Sequence, residues 1–291
     1  MSRRLLITGA SGFIGSHVAS EARRRGYRVT GLDRRGSATA DFESIRADIR
    51  DREHMARVVK DQDYVVHLAA VTSNVEFIKN PADCYDVNAN GFLNVIEAAA
   101  RSGCQRFVYA SSAAVYLDGF SEDTVIDINR QGNHYAKTKI INEMIARSYA
   151  QIHQMRTSGL RFFNVYGNGE NAKGDYASIV TIFLRAKSKG EPLVVYGDGR
   201  QARDLIHVTD AARLTMDLLE KGDEEIYNIG TGAATSFNDI ARMIDPHRIQ
   251  YVPNPLRDYQ YYTKADTRRL RETVGDYRPA DLLTGIRKMT V

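Results

Sequence analysis

Near its amino terminus the chain reads Leu5-Leu6-Ile7-Thr8-Gly9-Ala10-Ser11-Gly12-Phe13-Ile14-Gly15, an apolar run that leads into three glycines spaced three apart. The apolar residues predict a buried strand, and the residues after the glycines follow a helical pattern. In such a turn the first glycine permits a tight bend, the second admits a pyrophosphate to the backbone, and the third lets the helix pack closely. Because the amino end of the helix offers unpaired N–H groups, this stretch predicts a dinucleotide phosphate site.

A carboxylate follows the second predicted strand, which covers residues 28–32. Asp33 comes eighteen residues after Gly15, close to the distance at which such folds place the group that accepts the ribose hydroxyls of NAD. The same carboxylate repels the 2′-phosphate of NADP, so we expect NAD as the cofactor. Arg34 and Arg35 leave NADP open, because either guanidinium could turn toward a 2′-phosphate.

The composition and charge of the chain argue against several classes of protein. The 291 residues are 43% hydrophobic, enough for a large core, and the net charge of +4 comes from interspersed residues of both signs. We therefore expect no nucleic acid partner and, since no apolar run is long enough, no membrane span. Cys84 and Cys104 show no metal-ligand spacing, and no leader precedes the first strand, so we expect a cytoplasmic protein with reduced thiols and no metal site.

Strand and helix patterns alternate along the first half of the chain. Four further short segments predict strands, at residues 44–47, 64–68, 106–110 and 158–163. Helical patterns at 81–102 and 133–151 lie between them, and this alternation predicts an α/β fold with a doubly wound parallel sheet. Shorter mixed elements follow. We expect a dinucleotide-binding domain at 1–163 and a smaller, mixed α/β substrate-binding domain at 164–291, with a return to the sheet around 204–230.

Two more strand ends and one helix residue could contribute to a cofactor site. Asp48-Ile49 follows the third strand and could reach the adenine of a cofactor; alternatively, Asp48 or Asp51 caps the next helix. Leu68-Ala69-Ala70 ends the fourth strand, and small residues there let a cofactor pass close, although they also pack well. Asn88 could bind backbone beside the cofactor, but a surface position on its helix is the default expectation.

A tyrosine and a lysine stand one helical turn apart after the fifth strand. Tyr135 and Lys139 form the only Tyr-x-x-x-Lys pair in the chain, and their spacing places both side chains on one face of the helix. The fifth strand itself ends in Ser111-Ser112. Because ligands of open α/β sheets bind at the carboxyl ends of the strands, these residues are candidates for catalysis. The competing interpretation makes Tyr135 an ordinary amphipathic helix residue whose hydroxyl faces water.

Together these motifs resemble those of the extended short-chain dehydrogenase/reductases, and specifically their NAD-dependent nucleotide-sugar epimerase/dehydratase branch. The resemblance covers nearly the whole chain and includes two later motifs, Arg161-Phe162-Phe163-Asn164-Val165-Tyr166-Gly167 and Arg203-Asp204-Leu205-Ile206-His207-Val208. It implies a Rossmann sheet, NAD as the cofactor, and a nucleotide-diphosphate sugar as the substrate, with a UDP-sugar favoured.

The resemblance also implies roles for single residues. Tyr135 would be the acid/base, Lys139 would lower the pKa of the phenol and bind the nicotinamide ribose, and Ser112 would bond the sugar hydroxyl. The full predicted cofactor set is Gly9, Gly12, Phe13, Ile14, Gly15, Asp33, Arg34, Asp48, Ile49, Leu68, Ala69, Ala70, Asn88, Tyr135 and Lys139. The predicted substrate set is Ser111, Ser112, Asn164, Arg203 and Arg257, in which Asn164 and Arg203 would hold the diphosphate.

One departure from the family's pattern reduces the number of reactions that the chain could catalyse. Ala113 and Ala114 follow Ser112, at a place where the family's 4,6-dehydratases carry an acidic pair and UDP-glucuronate decarboxylases a glutamate. Alanine cannot move a proton, so we expect an epimerase, acting at C4 through a transient 4-keto sugar. Residues 254–260 and 263–266 also resemble ADP-heptose 6-epimerases, which leaves the carbon open. A keto-sugar reductase and a non-catalytic dinucleotide sensor compete with this interpretation. The family's usual proline before the tyrosine is absent.

The two long predicted helices suggest how two copies of the chain could associate. Both carry apolar residues on more than one face: Phe92, Val95, Ile96, Ile140, Ile141, Met144 and Ile145. In relatives these two helices form a four-helix bundle with the partner's pair, so we expect a homodimer. Coverage of these residues by the second domain of the same chain would explain the pattern equally well.

Overall fold

A computed structural model describes residues 3–36, 41–117, 119–170, 174, 177–223, 225–255 and 260–289. Its strands, in chain order, are β1 (Arg4–Thr8), β2 (Arg28–Asp33), β3 (Glu43–Arg46), β4 (Tyr64–His67), β5 (Arg106–Ser112), β6 (Arg156–Phe162), β7 (Asn164–Tyr166), β8 (Leu193–Tyr196), β9 (Ala202–His207), β10 (Ile226–Ile229), β11 (Ala234–Ser236) and β12 (Ile249–Val252).

The helices are α1 (Phe13–Arg24), α2 (Arg52–Val59), α3 (Asn74–Lys79), α4 (Pro81–Tyr85), α5 (Gly91–Arg101), α6 (His134–His153), α7 (Ile179–Ser188), α8 (Val208–Lys221), α9 (Phe237–Ile244), α10 (Arg268–Val274) and α11 (Leu282–Arg287). A π-helical segment, Asp86–Asn90, joins α4 to α5, and a 3₁₀ turn, Ala113–Val115, follows β5.

Seven strands form one parallel sheet in the order β3-β2-β1-β4-β5-β6-β10. The central strands are apolar along their length because helices cover both faces; Leu5, Leu6 and Ile7 of β1 are fully buried. The strand order reverses between β1 and β4, and sheets of this kind bind ligands in the crevice at that point. The predicted α/β fold with a doubly wound parallel sheet is confirmed.

A smaller set of elements lies beyond β6. In it β9 pairs with β7 and β11, β8 pairs with β12, and the core between them includes Tyr166, Phe183 and Ile240. The chain also re-enters the large sheet here, since α8 packs against α1 and β10 pairs with β6. A division into two domains at residues 163 and 164 stays a prediction.

The helix predicted at 81–102 consists of three segments, because the π-helical turn Asp86–Asn90 interrupts the α-helical pattern. Such a turn rotates the following side chains relative to a 3.6-residue repeat. The short helices α2 and α3 are not predicted by the apolar pattern, but each begins at a capping side chain. Asp51 accepts a hydrogen bond from the His54 amide at 2.9 Å, so Asp51 and not Asp48 caps α2.

Four of the apolar residues expected at a dimer interface are at most 5% exposed and belong to the chain's own core: Phe92, Val95, Ile96 and Ile140. The first three pack with Met55 of α2 and Phe107 of β5, because α5 lies between α2 and the sheet. For these four residues the dimer argument is therefore wrong. Met144 remains 58% exposed, and Ile141 and Ile145 are half-buried.

Within the part of the chain that the structure describes, no helix is both long and apolar enough to cross a bilayer. The same residues include no group of three His, Cys, Asp or Glu side chains that could hold a metal ion. Cys84 and Cys104 are both buried and carry free thiols.

Candidate active site

The glycine turn has the close backbone approach that a pyrophosphate requires. Gly9 has a φ of +73°, and a Cβ built on it would lie 2.8 Å from the amide nitrogen of Ala69. A Cβ on Gly15 would run into the carbonyl oxygen of Gly9, so α1 reaches the turn only because that residue is glycine. The turn and the amino end of α1 form a cradle of backbone N–H groups that fits the phosphates of NAD.

A cavity of about 300 Å³ opens at the crevice between β1 and β4. Nine of the predicted cofactor residues line it: Gly9, Gly12, Asp33, Arg34, Asp48, Ile49, Leu68, Ala69 and Ala70. Five residues outside the predicted cofactor set also line it: Leu32, Ala47, Val71, Val87 and Arg35, the last of which was considered only as a possible partner of a 2′-phosphate. Each of these five adjoins a predicted residue in the chain, so extending every motif by one position would have found them.

Three predicted cofactor residues at the start of α1 lie outside this lining. Phe13 packs the edge of its ring against His17, with the ring centres 5.9 Å apart. Ile14 is half-buried against the core beneath the sheet. Gly15 serves the packing of α1 on the turn, and its part in the cradle is to let the helix end come close.

Asp33 stands at the end of β2 with both carboxylate oxygens held by the backbone. Its Oδ2 accepts from the Ser11 amide at 3.2 Å and its Oδ1 from the Arg35 amide at 3.0 Å. The side chain is 13% exposed, and the Arg35 guanidinium lies 3.7 Å away. A carboxylate has about four acceptor positions, so Asp33 keeps capacity for the two ribose hydroxyls.

Asp48 lines the same cavity and forms an ion pair with Arg50. The two side chains are 2.7 Å apart, and the hydrogen bond from Arg50 holds the pKa of the Asp48 carboxyl below its usual value. Arg50 also donates to Asp83 at 2.6 Å, which ties the start of α4 to this wall of the cavity. Contact between Asp48 and adenine stays a prediction.

Asn88 is only 2% exposed, so the default expectation of a surface position is wrong. Its Oδ1 accepts from the Val71 amide at 2.8 Å, and its Nδ2 donates to the Val71 carbonyl at 2.9 Å and to Thr138 Oγ1 at 3.1 Å. Thr138 in turn donates to the Tyr135 carbonyl at 2.7 Å. Asn88 therefore supports the cavity wall from behind and connects it to the helix that carries Tyr135.

The three predicted catalytic residues meet at the carboxyl end of β5. Tyr135 and Lys139 occupy the first two turns of α6, which is capped by the side chain of Asn133. Ser112 ends β5 close enough to the Tyr135 side chain to lower the pKa of its phenol. The Lys139 ammonium lies 5.5 Å from the centre of the Tyr135 ring and donates to the Ala110 carbonyl at 3.0 Å.

Burial shifts the pKa of both titratable groups in this trio. It raises the pKa of Tyr135 to about 12, and the hydrogen bond with Ser112 offsets part of that rise. It lowers the pKa of Lys139 to about 8, against the opposing effect of the Glu143 carboxylate. The Lys139 ammonium, 5.5 Å from the centre of the Tyr135 ring, also favours the phenolate when it is charged.

Ser111 does not face the site, because adjacent strand residues point to opposite sides of a sheet. It is 2% exposed and donates to Glu143 at 2.5 Å, so the expected substrate contact at Ser111 is not supported. Glu143 also accepts two hydrogen bonds from Arg161, at 2.8 and 2.9 Å. Arg161 donates to Tyr116, which donates to Asn228 of β10 at 2.8 Å. Sequence reasoning missed this network, which fixes the strand ends beneath Ser112.

Asn164, predicted to hold the diphosphate, is half-buried at the start of β7. Its Nδ2 donates to the Asp204 carbonyl at 3.1 Å and to Thr263 Oγ1 at 3.2 Å. The Asp204 carboxylate accepts from the amides of Gly232 and Ala265, at 2.9 and 3.0 Å. These bonds fasten the 230–232 loop and the 263–265 segment around Asn164.

Arg203, the second predicted diphosphate residue, lies on β9. It is 9% exposed, donates to the Ala202 carbonyl at 3.0 Å, and has its guanidinium carbon 5.6 Å from the centre of the Phe237 ring. Arg257 lies outside the described residues. The structure therefore places Asn164 and Arg203 in the smaller part of the fold, and diphosphate binding by them stays a prediction.

Cavity volume alone does not identify this site. A cavity of about 580 Å³ runs along residues 262–268 and is lined by Phe120, Tyr262 and Lys264 among others. It includes none of the predicted catalytic or cofactor residues. The smaller cavity at the β1–β4 crevice is the one that has the glycine cradle and the Asp33 carboxylate.

Known proteins are similar to this chain over nearly its whole length. The model of a family described as "NAD dependent epimerase/dehydratase family" matches residues 5–230. A UDP-N-acetyl-alpha-D-glucosaminuronate decarboxylase from Bacillus cytotoxicus is 34% identical, with 88% of this chain and 83% of that protein covered. An ADP-L-glycero-D-manno-heptose-6-epimerase from Alkalilimnicola ehrlichii is 32% identical, with 97% of this chain and 95% of that protein covered. A crystal structure of a Thermotoga maritima UDP-glucose 4-epimerase with UDP-glucose superposes with a TM-score of 0.87, at 28% identity and coverages of 98% and 97%.

Proposed function

Because the chain belongs to the NAD-dependent epimerase/dehydratase family, we propose that it is a nucleotide-sugar epimerase that inverts C4 of a UDP-sugar through a transient 4-keto intermediate. The observation that carries the proposal is the meeting of Ser112, Tyr135 and Lys139 at the end of β5, directly before two alanines. NAD is the cofactor of this family, and the glycine cradle and Asp33 fit it.

Hydride transfer from the sugar carbon and back to its opposite face is the chemistry that NAD supplies when bound. Tyr135 exchanges the proton of the sugar 4-hydroxyl through its phenolic oxygen, and Ser112 holds both oxygens in line by hydrogen bonding. Lys139, whose ammonium is anchored on the Ala110 carbonyl, would bind the nicotinamide ribose. The Glu143–Arg161 network supports this arrangement by keeping the ends of β5 and β6 rigid.

The residues after Ser112 favour an epimerase over the other reactions of the family. Ala113 and Ala114 form the 3₁₀ turn that follows β5, and the Ala114 carbonyl accepts from Gln131 at 3.0 Å. Neither methyl side chain can deliver or remove a proton, as elimination of water requires. Decarboxylase relatives share the fold, as the Bacillus cytotoxicus protein indicates, but the glutamate expected of a UDP-glucuronate decarboxylase has no counterpart at these two positions.

A UDP-sugar is the favoured substrate because solved neighbours of this chain bind such molecules. One of them, MoeE5 in complex with UDP-glucose and NAD, is 32% identical to this chain and superposes with a TM-score of 0.86. We assign the diphosphate to Asn164 and Arg203, with Arg257 as a further candidate. The 32% identity to a heptose 6-epimerase makes epimerisation at C6 of an ADP-sugar the second candidate.

We also propose a homodimer and a cytoplasmic location. Met144, Ile141 and Ile145 form an apolar strip on α6, and a partner's α6 would cover it. Light scattering at micromolar concentration should give twice the chain mass, and Met144→Glu should shift the protein toward monomer. A monomeric mass for the parent protein would contradict the dimer. The free, buried thiols of Cys84 and Cys104 suit a reducing compartment.

The reaction can be tested by incubating the protein and NAD with UDP-, GDP-, ADP- and CDP-sugars in D₂O and recording proton NMR spectra. The proposal predicts that a UDP-sugar equilibrates with its C4 epimer. The hydrogen at C4 should be retained, with no net NADH, since hydride leaves and returns. Release of CO₂, stoichiometric change in NADH, or inversion at C6 alone would each contradict C4 epimerisation and identify the reaction that takes its place.

A further inference from the structure

The residue before Tyr135 is His134, at the position where the resembling family usually has a proline. It is the first residue of α6, and its Nδ1 lies 3.2 Å from the hydroxyl of Tyr85 in α4. Its ring meets the Tyr85 ring edge-on, with centres 5.8 Å apart and planes at 89°. A proline at this position would fix the backbone φ but could make neither contact.

Phe77 of α3 connects this histidine to the tyrosine. It is 2% exposed, and its ring lies parallel to His134 with the centres 6.4 Å apart. The same ring meets Tyr135 at 6.3 Å and 64°, and Tyr85 at 6.0 Å and 90°. Four rings from three helices therefore form one aromatic cluster: Phe77, Tyr85, His134 and Tyr135.

The cluster contacts the Tyr135 ring through Phe77. Ser112 lies near the phenol at the end of β5, and Thr138, itself bonded by Asn88, donates to the backbone carbonyl of Tyr135. Among the residues that the structure describes, Phe77 supplies the aromatic ring that packs against the phenol ring itself. The orientation of the phenol thus depends on the position of α3. His134 contacts both neighbouring helices, through the Tyr85 hydroxyl of α4 and the Phe77 ring of α3.

We propose that His134 is a positioning residue for Tyr135. His134 holds α3 and α4 against the first turn of α6, and Phe77 of α3 then fixes the orientation of the phenol. This inference rests on the proposed function, in which Tyr135 exchanges the substrate proton. The proposal assigns a structural role to the histidine that stands where the family usually has proline. The chain gives up a constrained φ at the helix start and gains an aromatic contact to the helix beside the site.

The test compares His134→Ala and Phe77→Leu with His153→Ala as a matched control. His153 is also an exposed histidine of α6 and also stacks on an aromatic ring, that of Tyr149 at 5.2 Å, but it lies at the far end of the helix. His134→Ala should lower kcat about tenfold, the scale of a small misplacement of a reacting group, with KM and the Kd of NAD nearly unchanged. His153→Ala should match the parent. The double variant should be no slower than Phe77→Leu alone, because both changes act through one cluster.

Two further measurements distinguish a positioning role of His134 from a loss of folded protein and from a failure of the proposed function. Rates are counted per NAD-binding site, so a loss of folded protein does not lower kcat, and His134→Phe, which keeps the stacking, should restore most of it. The titration of Tyr135 is followed by near-ultraviolet absorbance, as the parent minus a Tyr135→Phe reference. The midpoint of this titration should differ from that of the parent in His134→Ala, because a reoriented phenol changes its burial and its distance from Ser112, whether or not any UDP-sugar is a substrate. A kcat within about twofold of the parent, or an unmoved titration, would overturn the proposal.

Discussion

Replacing Asp33 by asparagine should change which dinucleotide the protein prefers. The side chain is 13% exposed, and its two oxygens already accept from the amides of Ser11 and Arg35. Asparagine keeps the shape and one acceptor but removes the negative charge. Hydrogen bonds to a charged group are stronger by about 1 kcal/mol than those to a neutral one, so NAD binding should weaken about fivefold.

The effect on NADP should have the opposite sign. A carboxylate and a phosphate about 4–5 Å apart in a partly buried site repel by about 2–3 kcal/mol, between the values for water and for the interior. Asp33→Asn removes this repulsion and leaves Arg34 and Arg35 beside the 2′-position. NAD binding weakens while NADP binding tightens, so the two effects multiply. The ratio of the two dissociation constants should therefore shift about 150- to 900-fold toward NADP.

Isothermal titration calorimetry of both cofactors against both proteins gives that ratio. Asp48→Asn is the matched control, because Asp48 lines the same cavity but would contact adenine, which NAD and NADP share. It should weaken both cofactors equally. If the ratio for Asp33→Asn stays within about threefold of the parent, the assignment of Asp33 to the adenosine ribose is refuted.

Three other substitutions test the buried groups around the site. Lys139 is charged in the unfolded chain up to its ordinary pKa of 10.5 but only to about 8 in the fold, so the unfolded state binds more protons between those values. The stability of the parent relative to Lys139→Met should rise by about 3 kcal/mol across that pH range in denaturant titrations, and a flat difference would contradict the shift. Asn88→Leu should cost about 2–4 kcal/mol, because the Val71 amide and carbonyl lose their partners; a loss below about 1 kcal/mol would argue against that role. Glu143→Gln should cost about 3–5 kcal/mol by leaving the buried Arg161 without a counter-charge, and an unchanged denaturation midpoint would refute this.

Sequence reasoning succeeded where a motif constrains the backbone itself. Gly9 and Gly15 predict the cofactor cradle because no larger residue fits the geometry they adopt. Asp33 and Ala69 come at the carboxyl ends of β2 and β4, and parallel strands deliver those ends to the same side of the sheet. The cavity at the β1–β4 crevice, and the meeting of Ser112 with Tyr135, follow from the same rule.

The rest depended on contacts that sequence patterns do not contain. Asn88 was expected at the surface because its side chain is polar, whereas the structure buries it and satisfies it with Val71 and Thr138. The Glu143–Arg161 pair joins a helix to a strand eighteen residues away, with no local spacing to mark it. Ser111 is different, because strand alternation alone would have separated it from Ser112.

The rate of a Tyr135→Phe variant tests the central claim most directly. The change removes the oxygen that exchanges the proton and leaves the ring in contact with Phe77. With a UDP-sugar that the parent epimerises, kcat should fall about a hundredfold or more, the usual scale for a lost general acid/base. The dissociation constants of NAD and of the UDP-sugar should change little. A kcat within about threefold of the parent would remove Tyr135 from the reaction and contradict the proposed mechanism.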